Sequence, residues 1–416
     1  MKNVILITVD ALRKDVLGCY GNKSELTPFI DSLQDKSIIF TNAQSIGPYT
    51  EASFRGILTS SYYLEYGREK RLSSKRTLVS EVLRQSGITT AAFHSNPYLS
   101  AYFGWNRGWD VFYDFMDVEL SDEVPYIKGK DLNKKVHEWL SSYTRDRNYK
   151  PFFLWIHYMD VHEPYMPEQK YIDMVDPSIK LSRVQMYSLF RDVLVKRDVS
   201  DESKVKLLKK LYDAEVRETD DYIREFFGIL EELNLLQDSI IIITSDHGDE
   251  FNEHGGLSHD GKMYSELIDI PLLIYDPSRT KGEVCDTLVS NIDIPPTITY
   301  LFHLEKVEKF EGHSLLPVET YPKKGCFGEA IAKIGPGEKE TDKPIYYYRE
   351  ENLKIIYRES DDSWEMYDLK KDPKELNNII NISSKAGEMM EKLKPRIRRW
   401  ERRTYPYCNK SNLRWR

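Results

Sequence analysis

The sequence predicts an α/β fold: a large, mostly parallel sheet flanked by helices, followed by a small antiparallel sheet with one helix. Three observations predict it. Short uninterrupted apolar runs, NVILITV at Asn3–Val9 and SIIIITS at Ser239–Ser245, have the pattern of strands buried on both faces. Between such runs lie segments whose apolar residues recur every three or four positions, the period of a helix packed on one side. After a polar, turn-rich stretch at 335–343 the pattern changes to short strands with polar connections.

The elements follow in order. After Asn3–Val9, Thr27-Pro28 opens a helix, Thr as cap and Pro pre-set for the first helical position, with Phe29, Ile30 and Leu33 on its buried face. Residues 37–40 return as strand. Residues 77–86 read as helix, Gly87 stops it, and 88–93 read as strand. Residues 130–145 are helical, and Pro151 precedes the apolar run 152–156. The longest helical pattern covers 203–235, with Val205, Leu208, Leu211, Tyr212, Val216, Ile223, Phe226 and Leu230 on one stripe. Ser239–Ser245 and 271–275 (PLLIY) follow as strands, and Pro295-Pro296 starts a helix over 293–302. Strands at 345–349, Leu353–Arg358 and 364–369 and a helix at 384–403 complete the chain. That gives a main domain, 1–335, and a C-terminal subdomain, 336–416.

Composition narrows the function. Lys and Arg number 59 against 67 Asp and Glu, for a net charge of -8, so a nucleic-acid backbone is not the expected partner. No apolar run is long enough to span a membrane. Met1-Lys2-Asn3 leads straight into a strand, leaving no room for a signal peptide, so a cytoplasmic location is expected. Four scattered cysteines (Cys19, Cys285, Cys326, Cys408) make neither a disulfide framework nor a cysteine zinc site. The last helix crowds Lys392, Lys394, Arg396, Arg398, Arg399, Arg402 and Arg403 around a stripe of Leu393, Ile397 and Trp400. A docked amphipathic helix is expected, with contact to an anionic surface as the alternative.

Acids and histidines fall just after the apolar runs: Asp10, His94, the set His157, Asp160 and His162, and Asp246-His247. In an open parallel sheet these positions converge at the carboxyl edge, where ligands bind. Asp10, Asp246 and His247 are an oxygen/nitrogen set suited to one divalent cation, calcium, manganese, zinc or magnesium. Thr50 stands where a turn enters a helix. Alone it reads as a cap. Beside a helix N-terminus and a cation, its hydroxyl becomes a usable nucleophile for a phosphorus or sulfur centre.

These residues carry a resemblance to the sulfatase family of the alkaline phosphatase superfamily, and it runs almost end to end. VILITVD at 4–10 resembles the family's opening strand and first metal acid. TPFIDSLQDKSIIFTNAQS at 27–45 resembles TPNLDxLAxxGxxFxxAYS, and TEASFRGILTS at 50–60 lies where the family has CxPSRxxLLTG. FGWNRGWDVF at 103–112 resembles its GFD segment, and 152–165 its PHxPY region. Residues 244–264 resemble SDHGexLGEHG, 293–301 DIxPTLLxLxG, 311–317 DGxSLLP, and EMYDLKKDPKELNN at 365–378 ELYDLxxDPxExxNL.

The resemblance implies an alkaline-phosphatase-like sandwich and ester hydrolysis. Asp10, Asp246 and His247 fall on metal-ligand positions. Thr50 falls on the nucleophile position, its oxygen on the same metal. His162 falls on the histidine that contacts the ester or protonates the leaving oxygen. His259 and Lys262 both suit the basic residue that neutralises the substrate, with His259 better spaced from Tyr264. His94 lies near the GKWHxG element, without its lysine. No second metal set is expected, although Asp160, His162 and His254 could be argued into one.

The departures are informative. The family nucleophile is Cys or Ser matured to formylglycine, an aldehyde that Thr50 cannot give. The arginine four residues on is Phe54, with Arg55 one residue late, and the second acid of the usual Asp-Asp pair is Ala11. The expected activity is therefore metal-dependent hydrolysis of a sulfate or phosphate ester by unmodified Thr50, with phosphate esters or phosphodiesters favoured on chemistry. The alternatives are a formylglycine-independent sulfuric ester hydrolase, a phospho-group transferase, or a non-catalytic anion-binding protein on the same scaffold. The expected partner is an anionic ester: a sulfated or phosphorylated small molecule, glycan or lipid headgroup. Oligomeric state is left open.

Overall fold

A central strand with parallel neighbours on both sides organises the molecule. The computed structural model describes residues 2–67, 70–121, 124–145, 148–259, 261–322, 325–332 and 343–401. In chain order its strands are β1 (Asn3–Val9), β2 (Ser37–Gln44), β3 (Thr89–Phe93), β4 (Val111–Tyr113), β5 (Phe152–Tyr158), β6 (Ser239–Ser245), β7 (Glu250–Phe251), β8 (Leu257–Ser258), β9 (Leu272–Tyr275), β10 (Glu283–Ser290), β11 (Cys326–Ile331), β12 (Pro344–Glu350), β13 (Leu353–Arg358) and β14 (Ser363–Asp368). The eight-stranded sheet runs β10-β2-β9-β6-β1-β5-β3-β4. Only β9 runs antiparallel to its neighbours, β2 and β6. β7 and β8 form a separate small hairpin.

Both faces of β1 are buried, as its unbroken apolar run requires. Ile5, Ile7 and Val9 face one core with Leu208, Leu211, Ile223 and Phe226 of the long helix Glu202–Glu232. Val4 and Leu6 face the other, with Phe54, Ile57 and Leu58 of the helix Thr50–Thr59 and Ile294 and Ile298 of the helix Ile294–Leu301. The long helix starts where Asp201 accepts from the backbone N–H of Ser203 and Lys204. Thr27 makes no such cap to the helix Pro28–Ser32. The Asp220 carboxylate reaches across from the long helix instead and accepts from Phe29 and Ile30 N–H, both at 2.9 Å.

Five strands lay outside the sequence reading, the two-residue β7 and β8 among them. β4 is only three residues long, and β10 mixes polar and apolar residues without strict alternation at a sheet edge. β11 carries Gly328 and Glu329 in mid-strand. The C-terminal sheet therefore has four antiparallel strands, β11-β12-β13-β14, where three were expected. It begins at Cys326, upstream of the expected division at 335/336, which lies outside the described residues.

This small sheet packs on the segment leading into Thr50. Glu329 N–H donates to Ile46 O at 2.8 Å, and the Tyr347 hydroxyl to Ser45 O at 2.7 Å. The Tyr49 hydroxyl donates to Ile331 O at 3.3 Å and accepts from Ile331 N–H at 3.0 Å. Lys354 and Glu375, both fully buried, form an ion pair at 2.5 Å, and the other Glu375 oxygen accepts from Ser265 N–H at 2.6 Å. The helix Ala386–Glu401 docks as expected through Leu393 and Ile397. Its described basic residues are engaged: Lys392 with Glu350 and Glu388, Lys394 with Glu391, and Arg396 over the Tyr62 ring at 3.5 Å. The side chains of Arg398, Arg399 and Trp400, and residues 402 onward, lie outside the described set. Among the described residues no helix is long and apolar enough to cross a membrane.

Lys354→Met strands the Glu375 charge in a dry interior and should cost about 3–5 kcal/mol in urea unfolding, whereas Lys354→Met with Glu375→Leu should recover most of that loss. Equal loss in both variants would show that the pair is not the element that matters.

Candidate functional site

Strand register brings the acids together. Val9 lies opposite both Tyr158 of β5 and Ser245 of β6, so Asp10 and Asp246 leave the sheet side by side. Asp10 N–H then bonds Tyr158 O at 2.9 Å. Thr50 opens its helix on the same edge because Ser53, one turn along, is pinned: its hydroxyl donates to Asp246 O at 2.7 Å and accepts from Asn291 Nδ2 at 2.9 Å. The helical ladder starts with Ala52 and Ser53 donating to Tyr49 O, so the Thr50 and Glu51 amides stand ahead of it. Thr50 Oγ1 lies 3.5 Å from Asp10 Oδ2 and 3.4 Å from His247 Nε2. The three far-apart segments of the sequence reading thus meet at one hydroxyl, in a site where Asp10, Asp246 and His247 are fully buried.

Each oxygen can be followed. Asp10 Oδ2 accepts from His157 Nε2 at 3.2 Å and Asn96 Nδ2 at 3.0 Å. Asp246 Oδ1 accepts from Ala11 N–H at 3.2 Å and His247 N–H at 3.0 Å. The remaining oxygens, Asp10 Oδ1 and Asp246 Oδ2, are buried without a hydrogen-bond partner among the described residues. His247 Nε2 stands 3.6 Å from the first and 3.3 Å from the second. Its Nδ1 is 3.0 Å from the Gly248 carbonyl, which only accepts, so the ring proton sits there and Nε2 turns a lone pair inward. Two orphaned carboxylate oxygens and an imidazole lone pair within 4.8 Å of one another fit a divalent cation. Burial opposes charge on Asp10, yet the His157 hydrogen bond and the neighbouring histidines hold it well below the usual carboxylate range. Burial and the Asp10 charge push Asp246 up.

A second layer faces this centre. The His259 ring lies 4.5 Å from that of His247 and 5.1 Å from that of His162. His259 Nδ1 is 2.9 Å from Asp249 Oδ1, and the other Asp249 oxygen accepts from the Tyr165 hydroxyl at 2.6 Å. Burial opposes protonation of His259, but Glu163 and Asp249 push it up to about 10. His162 is raised against burial by the Glu163 and Asp10 charges, and its Nδ1 is anchored 2.6 Å from Glu163 O. The His259 ring is therefore a cation at neutral pH, and the neighbouring His162 ring is shifted toward the same form. Gly248 has no alternative in this turn: a Cβ there would stand 2.2 Å from Glu266 O.

Two expected residues are placed elsewhere. His94 is fully buried, stacked on Trp155 at 5.0 Å and edge-on to Phe112 at 5.1 Å, with burial holding its ring neutral. A neutral imidazole in an aromatic layer cannot offset substrate charge. The Lys262 ammonium is 2.7 Å from Glu250 and 3.0 Å from His254 O. It serves a neighbouring cluster in which His254 bonds Glu266 at 2.6 Å and stacks on Tyr264. Asp160 faces Gly129 N–H and Lys128, so Asp160, His162 and His254 do not form a second set. Ala11, in the place of a second acid, has a left-handed backbone (φ 55); its N–H donates to Asp246 and its carbonyl accepts from the Tyr212 hydroxyl at 2.9 Å.

His157 and Asn96 are the residues the sequence reading did not assign. His157 follows the apolar run as a candidate, but nothing in its spacing told it from a structural histidine. Asn96 gave no signal, since it stands in an irregular turn and its partner is 86 residues away. Phe54 occupies the arginine slot and packs edge-on against His157 at 5.0 Å, while the Arg55 guanidinium lies over the Tyr63 ring at 4.6 Å.

The Sulfatase family model matches residues 2–304, and the model for the C-terminal region of N-sulphoglucosamine sulphohydrolase matches residues 253–403. The chain is 24% identical to an arylsulfatase of Clostridium perfringens, over 91% of this chain and 90% of that one. It is 23% identical to an N-acetylglucosamine-6-O-sulfatase of Bacteroides thetaiotaomicron, over 94% and 84%. Among solved structures it is similar to a protein in complex with its substrate D-glucosamine-2-N,6-O-disulfate (TM-score 0.79, 21% identity, 97% and 99% covered). It is also similar to the phosphonate monoester hydrolase of Agrobacterium radiobacter (TM-score 0.77, 19% identity, 96% and 95% covered). With a family model spanning well over half of its length and the buried acids on one sheet edge, the chain belongs to the sulfatase family of ester hydrolases.

Proposed function

We propose that the chain hydrolyses an anionic sulfate or phosphate ester with the unmodified Thr50 hydroxyl as nucleophile. The observation that carries this reading is the position of Thr50 Oγ1, between Asp10 and His247 at the N-terminus of a helix. Asp10, Asp246 and His247, with the Thr50 oxygen, would hold one divalent cation. Bound there, the cation supplies a Lewis acid and lowers the pKa of an adjacent hydroxyl.

The chain's own residues account for the rest. Thr50 Oγ1 forms a bond to sulfur or phosphorus as the bond to the leaving oxygen breaks, and the helix N-terminus favours the negative charge on both the ester and the alkoxide. His259, kept cationic by Glu163 and Asp249, neutralises a non-bridging oxygen. His162 gives its proton to the leaving alcohol. Once neutral, it takes a proton from the water that cleaves the Thr50 ester. Asn96 and His157 hold Asp10 in place throughout. A threonine ester cannot decompose through an aldehyde hydrate, so water must attack the central atom, which favours phosphorus on chemical grounds. The relatives named above support sulfate esters. Parallel assays with aryl sulfate, aryl phosphate and an aryl phosphodiester separate the two.

Thr50→Ala should lower kcat on the preferred aryl ester by on the order of 10⁴ or more, with Thr50→Ser retaining measurable turnover. Wild-type rates in Thr50→Ala would remove Thr50 from the chemistry. His162→Ala should lower kcat roughly 10²- to 10⁴-fold for esters of alkyl alcohols and much less for 4-nitrophenyl esters, whose leaving group needs no proton. An equal loss on both would reassign the acid.

Elemental analysis of the purified protein should find one equivalent of a divalent metal, absent in Asp246→Ala. Chelation should lower Tm, and re-addition at a hundredfold excess over Kd should restore about 2.7 kcal/mol of stability. No metal uptake by calorimetry would count against the assigned ligand set.

A further inference from the structure

His162 is tied only to its own loop. Among the described residues its backbone N–H donates to Met159 O at 2.9 Å, and its Nδ1 lies 2.6 Å from Glu163 O. Both partners are close neighbours in sequence, so the ring goes wherever segment 159–168 goes. A buried charge cluster fixes that segment. Asp160, Glu215 and Glu218 are buried, and Lys128 is the one cation paired with any of them among the described residues. Its ammonium is 2.9 Å from Glu215 and 3.7 Å from both Asp160 and Glu218.

The acids grip the segment at both ends. At the near end Asp160 accepts from Gly129 N–H at 3.0 Å, where the helix Gly129–Tyr143 begins. The Tyr126 hydroxyl stands 3.4 Å from the carbonyls of both Asp160 and Pro164. At the far end Glu215 accepts from Met166 N–H at 2.7 Å and Glu218 from Glu168 N–H at 3.3 Å. His162 lies between these anchors. Carboxylates gathered out of water repel one another unless a cation holds them. Burial pushes Asp160 up to about 6 even beside Lys128, and it raises Glu215 as well. One Asp160 oxygen has no hydrogen-bond partner among the described residues. The lysine is thus the attraction that draws the near end of the loop, through Asp160, to the helix acids that hold the far end. The other substrate-facing groups have separate supports: His259 is held by Asp249, and Glu163 accepts from the Ser258 hydroxyl at 3.0 Å.

We infer that Lys128 is a positioning residue for the reaction: by joining Asp160 to Glu215 and Glu218 it holds segment 159–168 closed and sets His162 at its proton-transfer distance from the leaving oxygen. The inference rests on the reading of His162 as the acid.

The test compares the full-length protein and its variants on a 2-phenylethyl and a 4-nitrophenyl ester of the acid, sulfuric or phosphoric, that the wild type turns over. Lys128→Met should lower kcat roughly 10- to 100-fold on the 2-phenylethyl ester. On the 4-nitrophenyl ester, whose leaving group needs no proton, the loss should stay below about threefold. KM and metal content should remain at their wild-type values. Lys128→Met strands buried carboxylates and risks misfolding, so Asp160→Ala, which removes a charge and cuts the same bridge, is the second variant, with the same selectivity expected. On a His162→Ala background either change should cost no more than about twofold further, because the group it places is gone. A merely structural role would lower both esters alike, or would persist in full on that background, and either result overturns the inference. Selective loss in His162→Ala with none in the Lys128 and Asp160 variants overturns the positioning role alone. Equal loss on both esters in His162→Ala itself overturns the acid reading, and the positioning role with it.

Discussion

Two carboxylates forced side by side in a dry interior are the condition to which the rest of this structure answers. Asp10 and Asp246 leave adjacent parallel strands at the same level, and neither is exposed. Like charges about 4 Å apart repel by roughly 4 kcal/mol at an effective dielectric of 20. The fold answers with donors on one oxygen of each acid: His157 and Asn96 for Asp10, the Ala11 and His247 amides for Asp246. The other oxygen of each is left for a cation. Thr50 is held against this charge by a chain of buried hydrogen bonds, Asn291 to Ser53 to Asp246 O, that ties three parts of the sequence to one point.

A second consequence is the sorting of the histidines. His247, His162 and His259 all have Nδ1 near an acceptor, a backbone carbonyl or Asp249, which fixes each ring, and the other nitrogen of His247 faces the two acids. Acidic neighbours then raise His162 and His259, which favours the charged form of each ring. His94, only two residues from Asn96, sits instead in an aromatic layer with Trp155 and Phe112 and stays neutral. Distance along the chain says little about which side of a sheet edge a ring will choose.

That contrast marks how far the sequence was legible. β1, β5 and β6 could be read because strands buried on both faces leave unbroken apolar runs, and Asp10, Asp246 and His247 followed from their places just beyond those runs. Thr50 followed from a helix entry. Asn96 could not be read, because its role depends on a contact between the turns that follow β3 and β1, two strands separated by β5, and its residue type is common in turns. Lys262 and His259 stood on one loop as rival candidates, His259 only the better spaced from Tyr264. Only the partners decided between them, since Glu250 captures the lysine and Asp249 turns the histidine toward His247. The orientation of β9 and the edge strands β4 and β10 were hidden for a related reason: run length and polarity do not encode direction, and edge positions tolerate mixed residues.

The Tyr49 hydroxyl bonds both the carbonyl and the amide of Ile331, so the residue just before Thr50 is stitched to the edge of the C-terminal sheet. Evolution by shuffling would feel this stitch. A recombinant that exchanged everything beyond residue 325 for a foreign tail would need a backbone edge at the same height to meet that phenol, or the threonine would swing free of its acids. Lineages that diversify this architecture should therefore inherit the two parts together.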